Sequence, residues 1–266
     1  MKDQQLNYQL KQFENQVLSG TGDHVSIEAK SKGVTKFGTN PNVGTTRVTI
    51  SSIGSNETFI TTNAIDKIVS TDAADTEVVR IEGHTVSGTG VDAVFTFVVQ
   101  TVTLTGLTPA TLSTPLARVN RAYVDDSFDL TGTVYVYEDS TITAGVPDDL
   151  TKAHIIVVQE ANQSEKAATT ISDQDYWAIT SVSGSVNEKQ AANVDLFLEI
   201  REVGKVFREV FRFSVSNSSG AVVVPLDPAI IVHKNSDVRL TAVSSNANTS
   251  VSGFMAGYLA KIMPSA

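Results

Sequence analysis

Short runs of alternating or β-branched residues, separated by turn-forming residues, recur along nearly the whole chain. Examples are residues 45–52, 94–105 and 194–201, and clusters of Gly, Asn, Asp or Pro stand between such runs. Val, Ile and Thr fit a pleated surface, and a period of two residues is that of a half-buried strand. Since one segment alone has the spacing of a helix, the pattern predicts an all-β protein.

The chain is long enough to build a substantial core. It has 266 residues, of which 41% are hydrophobic and 18% charged, and a chain of this size buries roughly three quarters of its unfolded surface. It contains no cysteine, which excludes disulfides and thiolate metal sites. Stability is therefore expected to come from packing and assembly.

The net charge disfavours one class of partner. A formal charge of −9 and a sequence pI near 4.9 repel the phosphate backbone, and no cluster of Lys and Arg offers a local exception. No apolar run is long enough to cross a membrane, and residues 1–5 lack the basic and apolar regions of a secretory signal. We therefore expect no direct nucleic-acid binding, no membrane contact and assembly in the cytoplasm.

One amphipathic helix is predicted at the start of the sequence. Leu6, Leu10, Phe13 and Val17 recur at steps of four, three and four residues, and Gly20 stands where a C-terminal cap would lie. A helix this short is marginal alone in water. Its apolar stripe is therefore expected to dock on its own domain or on a neighbouring subunit, and the sequence leaves both open.

The rest of the chain is predicted to form an arm and two β units. Residues 19–43 are rich in Gly, Thr, Ser and Asn and carry a turn signal around Pro41, which indicates an extended arm. The strand-like runs that follow predict a β-sandwich architecture with a small β unit and then a jelly-roll-like one. Whether these units are independent or intertwined stays open. The predicted domains are the helix and arm at 1–45, the small β domain at 46–114, and the jelly-roll-like sandwich at 115–266.

The hairpin at 194–215 is the clearest predicted element. One face of its first strand carries Val194, Leu196, Leu198 and Ile200, and one face of its partner carries Phe207, Phe211, Phe213 and Val215. Gly204 is predicted to make the turn. Phe197 and Val210 interrupt the polar faces, which indicates either burial on both sides of the sheet or contact with another subunit.

No catalytic, cofactor-binding or metal-binding residue is predicted. The histidines at 24, 84, 154 and 233 lack the spacing of a zinc site, and the nucleophile elbow and phosphate-binding loops are absent. Acidic groups at Asp125, Asp126 and Asp129, at Asp148 and Asp149, and at Asp173 and Asp175 fall in loops, where aspartate commonly makes turns. We therefore predict that the protein is not an enzyme and uses no cofactor.

Several segments resemble a group of tailed-phage virion proteins described as structural, capsid-decoration or minor head proteins. The segment from Lys36 to Pro41 reads Lys-Phe-Gly-Thr-Asn-Pro, and the group has Lys-Phe-Gly-x-Asn-Pro after a helical N-terminus. The chain departs from that group at Thr39, where a basic residue is expected. The further segments are Val-Val-Arg-Ile-Glu-Gly at 78–83, Val-Thr-Leu-Thr-Gly at 102–106, Arg-Val-Asn-Arg-Ala-Tyr-Val at 118–124 and Gly-Thr-Val-Tyr-Val at 132–136.

The resemblance implies a virion protein on the capsid surface. The specific prediction is a decoration or cement protein that bridges neighbouring capsid subunits and contacts the major capsid protein and copies of itself as a homo-oligomer, with a trimer as the first expectation. The residues predicted to bind these partners are Leu6, Leu10, Phe13, Val17, Lys36, Phe37, Asn40 and Pro41.

Two other functions remain open at this point. A tail, collar or fibre module that binds a host glycan would use Tyr176, Trp177 and the aspartate loops first. A β-fold polysaccharide hydrolase would need two positioned carboxylates, for which Asp125 and Asp173 are the candidates.

Overall fold

The computed structural model describes residues 32–54, 57–187 and 192–261, and nearly all of its regular structure is β-strand. Two 3₁₀ helices, Gly90–Asp92 and Leu150–Lys152, are the helical elements of these ranges. The predicted helix with Leu6, Leu10, Phe13 and Val17 lies outside the described residues. The strands are β1 (Lys32–Val43), β2 (Val48–Thr49), β3 (Ile65–Ser70), β4 (Val78–Ser87), β5 (Val94–Thr103), β6 (Ala110–Leu116), β7 (Arg118–Val124), β8 (Val134–Glu138), β9 (Ile142–Thr143), β10 (Val146–Pro147), β11 (Ala153–Val158), β12 (Gln163–Ser164), β13 (Ala168–Ile171), β14 (Asp175–Val186), β15 (Asn193–Glu202), β16 (Arg208–Ser216), β17 (Val222–Val232), β18 (Ser236–Ser244) and β19 (Thr249–Lys261).

Eight of these strands form a sandwich of two antiparallel sheets. The four-stranded sheet has the order β1-β19-β14-β17, and the five-stranded sheet has the order β13-β18-β15-β16, with β2 added beside β18. Numbered along the chain without β2, these strands pair first with eighth, second with seventh, third with sixth and fourth with fifth. Nested pairing of this kind is the winding of a jelly roll. The predicted all-β sandwich is therefore confirmed.

The first strand of the jelly roll comes from the segment predicted to be an extended arm. Residues 32–40 of β1 pair continuously with β19, from Lys32 opposite Leu259 to Asn40 opposite Val251. The segment looks like an arm in sequence because β1 is an edge strand with one outward face, so few of its residues need to be large and apolar. Residues 32–43 of the predicted arm therefore form a strand of the sandwich, and its residues 19–31 lie outside the described residues.

A second β unit is inserted between the first and second strands of the jelly roll. Strands β3 to β8, β11 and β12 form an eight-stranded antiparallel sheet with the order β5-β4-β7-β12-β11-β8-β3-β6. Strand pairing thus groups residues 65–164 together and groups 32–49 with 168–261. The domain bounds predicted at 45 and 114 differ from this grouping, because contacts between distant strands, which sequence spacing does not reveal, decide which strands share a sheet.

The inserted sheet curls until its terminal strands β5 and β6 meet. The Gln100 side chain of β5 donates to the carbonyl oxygen of Thr114 at 2.8 Å and accepts from the Thr114 amide at 3.0 Å. The Ser113 hydroxyl donates to the same side-chain oxygen at 2.8 Å. One side-chain amide thus takes the place of a backbone peptide in closing a small barrel.

Each unit has its own apolar core. The sandwich core includes the fully buried Trp177, Leu196 and Met255, and the barrel core includes the fully buried Ile81 and Val136. Alternate residues of each strand enter these cores, as the period of two requires. No helix within the described ranges has both the length and the hydropathy to span a membrane.

One predicted face of the 194–215 hairpin is changed by a bulge. Leu196 pairs with Phe213 and Leu198 with Phe211, as the alternation predicts, but the register shifts between Leu198 and Glu199. A bulge adds one residue to one strand and thereby reverses the side on which the following residues point. Phe207 consequently lies on the face opposite the core, so the prediction that it shares a face with Phe211 is wrong. The turn at Gly204, with φ of 72°, is confirmed.

Candidate functional site

The Lys-Phe-Gly-Thr-Asn-Pro motif lies on β1, and two of its predicted partner-binding residues turn inward. The Lys36 ammonium donates to the Asn120 carbonyl at 3.2 Å, and burial lowers the pKa of Lys36 to about 8. The Asn40 side chain is fully buried, donates to the Thr49 carbonyl at 2.9 Å and accepts from the Asn42 amide at 2.9 Å. Lys36 thus links β1 to the barrel and Asn40 links β1 to β2, so both are used within the protein.

Phe37 and Pro41 are the exposed members of the predicted set, and Gly38 between them has a packing role. Phe37 is 37% exposed, and Pro41 is exposed near the end of β1. A Cβ atom at Gly38 would overlap the carbonyl oxygen of Ile50 and the amide nitrogen of Ala167. Glycine is needed there because β1 crosses directly over another part of the backbone.

On the outward side of the four-stranded sheet, the paired residues of five cross-strand rows are uncharged, and we call these rows the uncharged face. The exposed Asp227 lies in the irregular part of β17 between two of these rows. Phe37, Phe254 and Tyr258 are the largest members of the uncharged face near β1, and small residues such as Ala256 and Ser181 lie between them. Residues directly opposite each other share a face of the sheet. The rows are Thr39, Ser252 and Ser185; Phe37, Phe254, Ser183 and Val223; Thr35, Ala256, Ser181 and Pro225; Gly33, Tyr258, Ala178 and Ile231; and Ala260 with Tyr176.

The outward side of the five-stranded sheet is charged. Glu199 accepts from Arg47 at 2.7 Å and from Arg239 at 2.8 Å. Phe197 is 3% exposed, because the Arg47 guanidinium lies 3.5 Å from its ring centre and that of Arg212 lies 5.0 Å away. Such cation–π stacking covers an aromatic ring without another protein. Of the two alternatives for Phe197, the structure supports burial on both sides of the sheet.

The jelly roll and the barrel meet at a buried ion pair. The Arg118 Nε atom, from the barrel, donates to Asp237 of the sandwich at 2.9 Å, and the Thr170 hydroxyl donates to the same carboxylate at 2.6 Å. Arg201 is a further partner of Asp237. Burial raises the pKa of Asp237, but its attraction to Arg118 and these hydrogen bonds outweigh burial, so the pKa lies below its ordinary value. The carboxylate is therefore charged and paired.

A second buried pair joins the two units nearby. The Lys166 ammonium donates to Glu57 at 2.5 Å, to the Val119 carbonyl at 2.9 Å and to the His154 carbonyl at 3.1 Å. Burial raises the pKa of Glu57, and Lys166 opposes that shift. Sequence reasoning missed both pairs because each partner lies in a different strand-like run and no local spacing links them.

The acidic clusters considered for catalysis make turn contacts. Asp149 caps the 3₁₀ helix by accepting from the Thr151 amide at 2.9 Å, and Asp148 accepts from the Thr141 hydroxyl at 2.6 Å. Asp129 accepts from the Asn162 side chain at 2.6 Å. Within the described ranges, no three His, Asp or Glu side chains converge in the manner of a metal site.

Two histidines are buried in neutral form. Burial lowers the pKa of His84 and of His154 to about 3. His84 accepts from the Asn120 side chain at 3.3 Å if its Nδ1 atom is unprotonated. The Nε2 atom of His154 is buried without a hydrogen bond, 3.5 Å from Glu138. His24 lies outside the described residues, and the ring of His233 contacts Tyr176 edge-on at 5.6 Å.

The aromatic pair considered for glycan binding is split between two environments. Trp177 is fully buried in the sandwich core. Tyr176 points the other way, as the alternation of a strand requires, and lies on the uncharged face. Trp177 is therefore inaccessible to a ligand at the surface.

No family model matches the chain, and no curated protein matches it. Among solved structures, the insecticidal delta-endotoxin Cry8Ea1 from Bacillus thuringiensis is similar at 9% identity and a TM-score of 0.21, over 84% of this chain and 60% of the toxin. Two structures of infectious bursal disease virus are also similar, each at 7% identity. The Gx strain has a TM-score of 0.19 over 91% of this chain and 73% of that one. The Gt strain has a TM-score of 0.15 over 95% and 83%. These TM-scores are too low to establish a common fold.

Proposed function

We propose that this protein is a structural component of a tailed-phage virion, specifically a capsid decoration or cement protein that bridges neighbouring capsid subunits. The observation that carries the proposal is the nested pairing of eight strands in two sheets, which is the winding used by viral capsid domains. Because one fold serves several functions, the resemblance of the Lys36–Pro41 motif to phage virion proteins is needed as well.

The interior of the sandwich favours a structural role over ligand binding. Jelly rolls also occur in lectins and cupins. In this chain the space between the two sheets is filled by apolar side chains, among them Trp177, Ile179 and Leu240, all fully buried. The proposed function accordingly depends on contacts between protein surfaces and not on a ligand held between the sheets. We propose no catalytic role and no cofactor.

The proposed partners are the major capsid protein and further copies of this chain. Residues 1–31 precede β1, which is the edge strand of the four-stranded sheet. A segment that starts at a sheet edge can reach a neighbouring copy, and exchange of such a segment links subunits at little cost. We propose a symmetric homo-oligomer, first a trimer, on the capsid surface.

Quantitative mass spectrometry of purified virions tests this proposal. A decoration protein is expected at hundreds of copies per particle, and the major capsid protein in the same sample provides the internal standard. A tail, collar or fibre component would occur at about six to a few dozen copies, following the symmetry of its location. Absence from the virion, or a copy number in that lower range, would reject the cement function.

Glycan binding by a tail or fibre module is the competing function. With Trp177 buried, Tyr176 remains the candidate among the two aromatic residues. A glycan array probed with the whole protein and with Tyr176→Ala separates the two functions. Binding that is lost in the variant would favour the fibre function. Polysaccharide hydrolysis that is lost in Asp125→Asn or Asp173→Asn would instead indicate an enzyme.

A further inference from the structure

We propose that a cavity on the outer wall of the barrel binds a single neutral sugar ring, such as the terminal pyranose unit of a glycan. The cavity has a volume of about 430 Å³, within the range of about 300 to 1,000 Å³ that small-molecule sites occupy. Neither Tyr176 nor the uncharged face contributes to it. The inference does not depend on the proposed virion function.

Three neighbouring strands of the barrel form the floor of the cavity. Tyr137 on β8 stands opposite Lys67 on β3, and Lys67 stands opposite Thr111 on β6. Residues directly opposite each other share a face of a sheet, while the adjacent residues Ile68 and Val136 enter the barrel core. The Lys67 and Tyr137 side chains therefore lie on the outer face of the barrel.

A β-bulge brings a second charged residue of β3 to the same cavity. Ile65 pairs with Glu138 and Lys67 with Tyr137, so Asp66 is one extra residue on β3. Consecutive residues of a regular strand point to opposite faces, yet Asp66 and Lys67 both line the cavity. Bulges that re-aim a side chain are frequent next to active sites. This bulge sets a carboxylate and an ammonium group side by side, with Oδ2 of Asp66 3.4 Å from Nζ of Lys67.

The hairpin of β9 and β10 forms another wall and is fixed in place. Its turn has positive φ at Ala144 and at Gly145, 50° and 79°, as a tight hairpin turn requires. A Cβ atom at Gly145 would overlap the carbonyl oxygen of Ser70, so the turn rests directly on the end of β3. Ile142 of β9 and Pro109 give the cavity its apolar lining. The cavity is therefore preformed.

The hydroxyl of Tyr137 is a polar group that the fold leaves without a partner. Tyr137 is 1% exposed and lines the cavity, and its hydroxyl makes no hydrogen bond to the described residues. Burial, with a smaller contribution from the charge of Asp66, raises the pKa of Tyr137 to about 12. The hydroxyl is therefore protonated at neutral pH and can donate. Because buried polar groups are nearly always hydrogen-bonded, a ligand is expected to supply the acceptor.

The charges around the cavity favour a neutral ligand. Asp66 and Lys67 neutralise each other, and Asp139 lies at an exposed position directly after β8. An anion or a cation would therefore meet no unpaired opposite charge in the buried part, where Tyr137 lies. Carboxylates accept hydrogen bonds, whereas ammonium and phenol groups donate them. A ligand with several hydroxyl groups satisfies both kinds, since each hydroxyl can donate and accept.

The apolar residues fit the same class of ligand. A pyranose ring presents C–H groups on its faces and hydroxyl groups around its edge. Its faces can rest on Ile142 and Pro109 while its edge bonds to Asp66, Lys67 and Tyr137. Small-molecule sites combine apolar lining with a few placed polar groups in this way. A wholly apolar ligand would leave the Tyr137 hydroxyl unpaired.

NMR of full-length protein labelled with carbon-13 at the hydroxyl-bearing ring carbon of tyrosine tests this site, since the chain has only six tyrosines. The probes are the methyl glycosides of glucose, galactose, mannose and N-acetylglucosamine, and Tyr137→Phe and Tyr176→Phe assign the two decisive signals. We expect at least one glycoside to shift the Tyr137 signal in a saturable manner. No shift with any of these glycosides would overturn the proposal. A shift of the Tyr176 signal alone would overturn it too and would support the competing fibre function.

Dissociation constants of the bound glycoside, measured by saturation-transfer NMR, provide a second test. Tyr137→Phe removes the hydroxyl and keeps the ring, and Tyr135→Phe makes the same change on β8 at a residue that does not line the cavity. We expect the constant to rise about five- to tenfold in Tyr137→Phe and to keep its wild-type value in Tyr135→Phe. Equal constants in wild type and Tyr137→Phe would contradict the site. Tighter binding of methylammonium or of inorganic phosphate than of any glycoside would contradict the neutral ligand.

Discussion

At the scale of single residues, Gly38 shows how closely the first strand of the jelly roll passes over its neighbours. A methyl group at this position would meet the backbone of Ile50 and Ala167, which cannot move independently. We expect Gly38→Ala to lower the free energy of unfolding by about 3 kcal/mol, as overpacking against rigid atoms does. Urea denaturation measures the change.

Gly33 provides the matched control on the same strand. No heavy atom lies within 4 Å of a Cβ built at Gly33. Gly33→Ala should therefore change the free energy of unfolding by no more than about 0.5 kcal/mol. Equal effects of the two substitutions would mean that the close crossing at Gly38 does not occur.

Asp237 is a buried carboxylate at the junction of the two units, where it pairs with two arginines. Its side chain is 1% exposed, and Arg118, which is 5% exposed, is its closest cation from the barrel. Removing one partner of such a pair leaves an unpaired charge in a buried site. We expect Asp237→Asn to lower the free energy of unfolding by about 3 to 5 kcal/mol.

The exposed pair of Asp195 and Arg212 is the control for that measurement. Asp195 is 35% exposed and Arg212 is 53% exposed, so solvent screens their attraction. Asp195→Asn should cost at most about 1 kcal/mol. If both substitutions cost the same, the Arg118–Asp237 pair is not buried in solution.

At the scale of elements, the closure of the barrel depends on one side chain. Gln100 makes three hydrogen bonds to β6, and Gln100→Met would leave the backbone groups of Thr114 unpaired. We expect a loss of about 1 to 3 kcal/mol and faster hydrogen exchange at the amide of Thr114. Thr101→Ala, at an exposed position of the same strand, should change neither. Unaltered exchange at Thr114 in the Gln100 variant would contradict this form of closure.

Strand pattern and turns could be predicted from the sequence, whereas the pairing of distant strands could not. The turn at Gly204 and the core residues Leu196 and Leu198 follow from local alternation, which is a property of adjacent residues. The side of the sheet on which Phe207 lies does not, because it depends on the bulge at Val210, opposite Leu198 and Glu199. The uncharged face could not be predicted either, because it depends on the strand register that places Phe37 opposite Phe254.

The inward side chains of the predicted partner-binding set could not be predicted from the sequence either. Lys36 and Asn40 are polar, and polar residues in a segment without large apolar neighbours are usually exposed. Asn40 is buried and Lys36 is part-buried because β1 packs against β2 and against the barrel, where the carbonyls of Thr49 and Asn120 accept their hydrogen bonds. Only the contact between distant segments explains their burial.

At the scale of the whole molecule, the buried histidines make stability depend on pH. The folded pKa of both His84 and His154 is about 3, below the value near 6.5 of an unfolded chain. Below about pH 6.5 the unfolded state therefore binds protons that the folded state does not, so stability falls as the pH falls. Between pH 7 and pH 5 we expect a loss of about 4 kcal/mol from the two residues together.

Urea denaturation across this pH range measures the loss, and one substitution assigns it. His154→Phe keeps a buried ring and removes a titrating group whose Nε2 atom has no hydrogen bond. The variant should show about half the pH dependence of the wild type. An unchanged dependence would mean that His154 is not neutral in the folded protein.

The pairing of Lys32 with Leu259 also sets an order of events during translation. The ribosome synthesises the whole inserted barrel, and then seven more strands of the jelly roll, before β1 can meet β19. Until then β1 has no partner for its backbone groups, while residues 65–164 already have theirs. We therefore infer that the barrel folds first on the nascent chain and that the sandwich closes around β1, the earliest of the described strands.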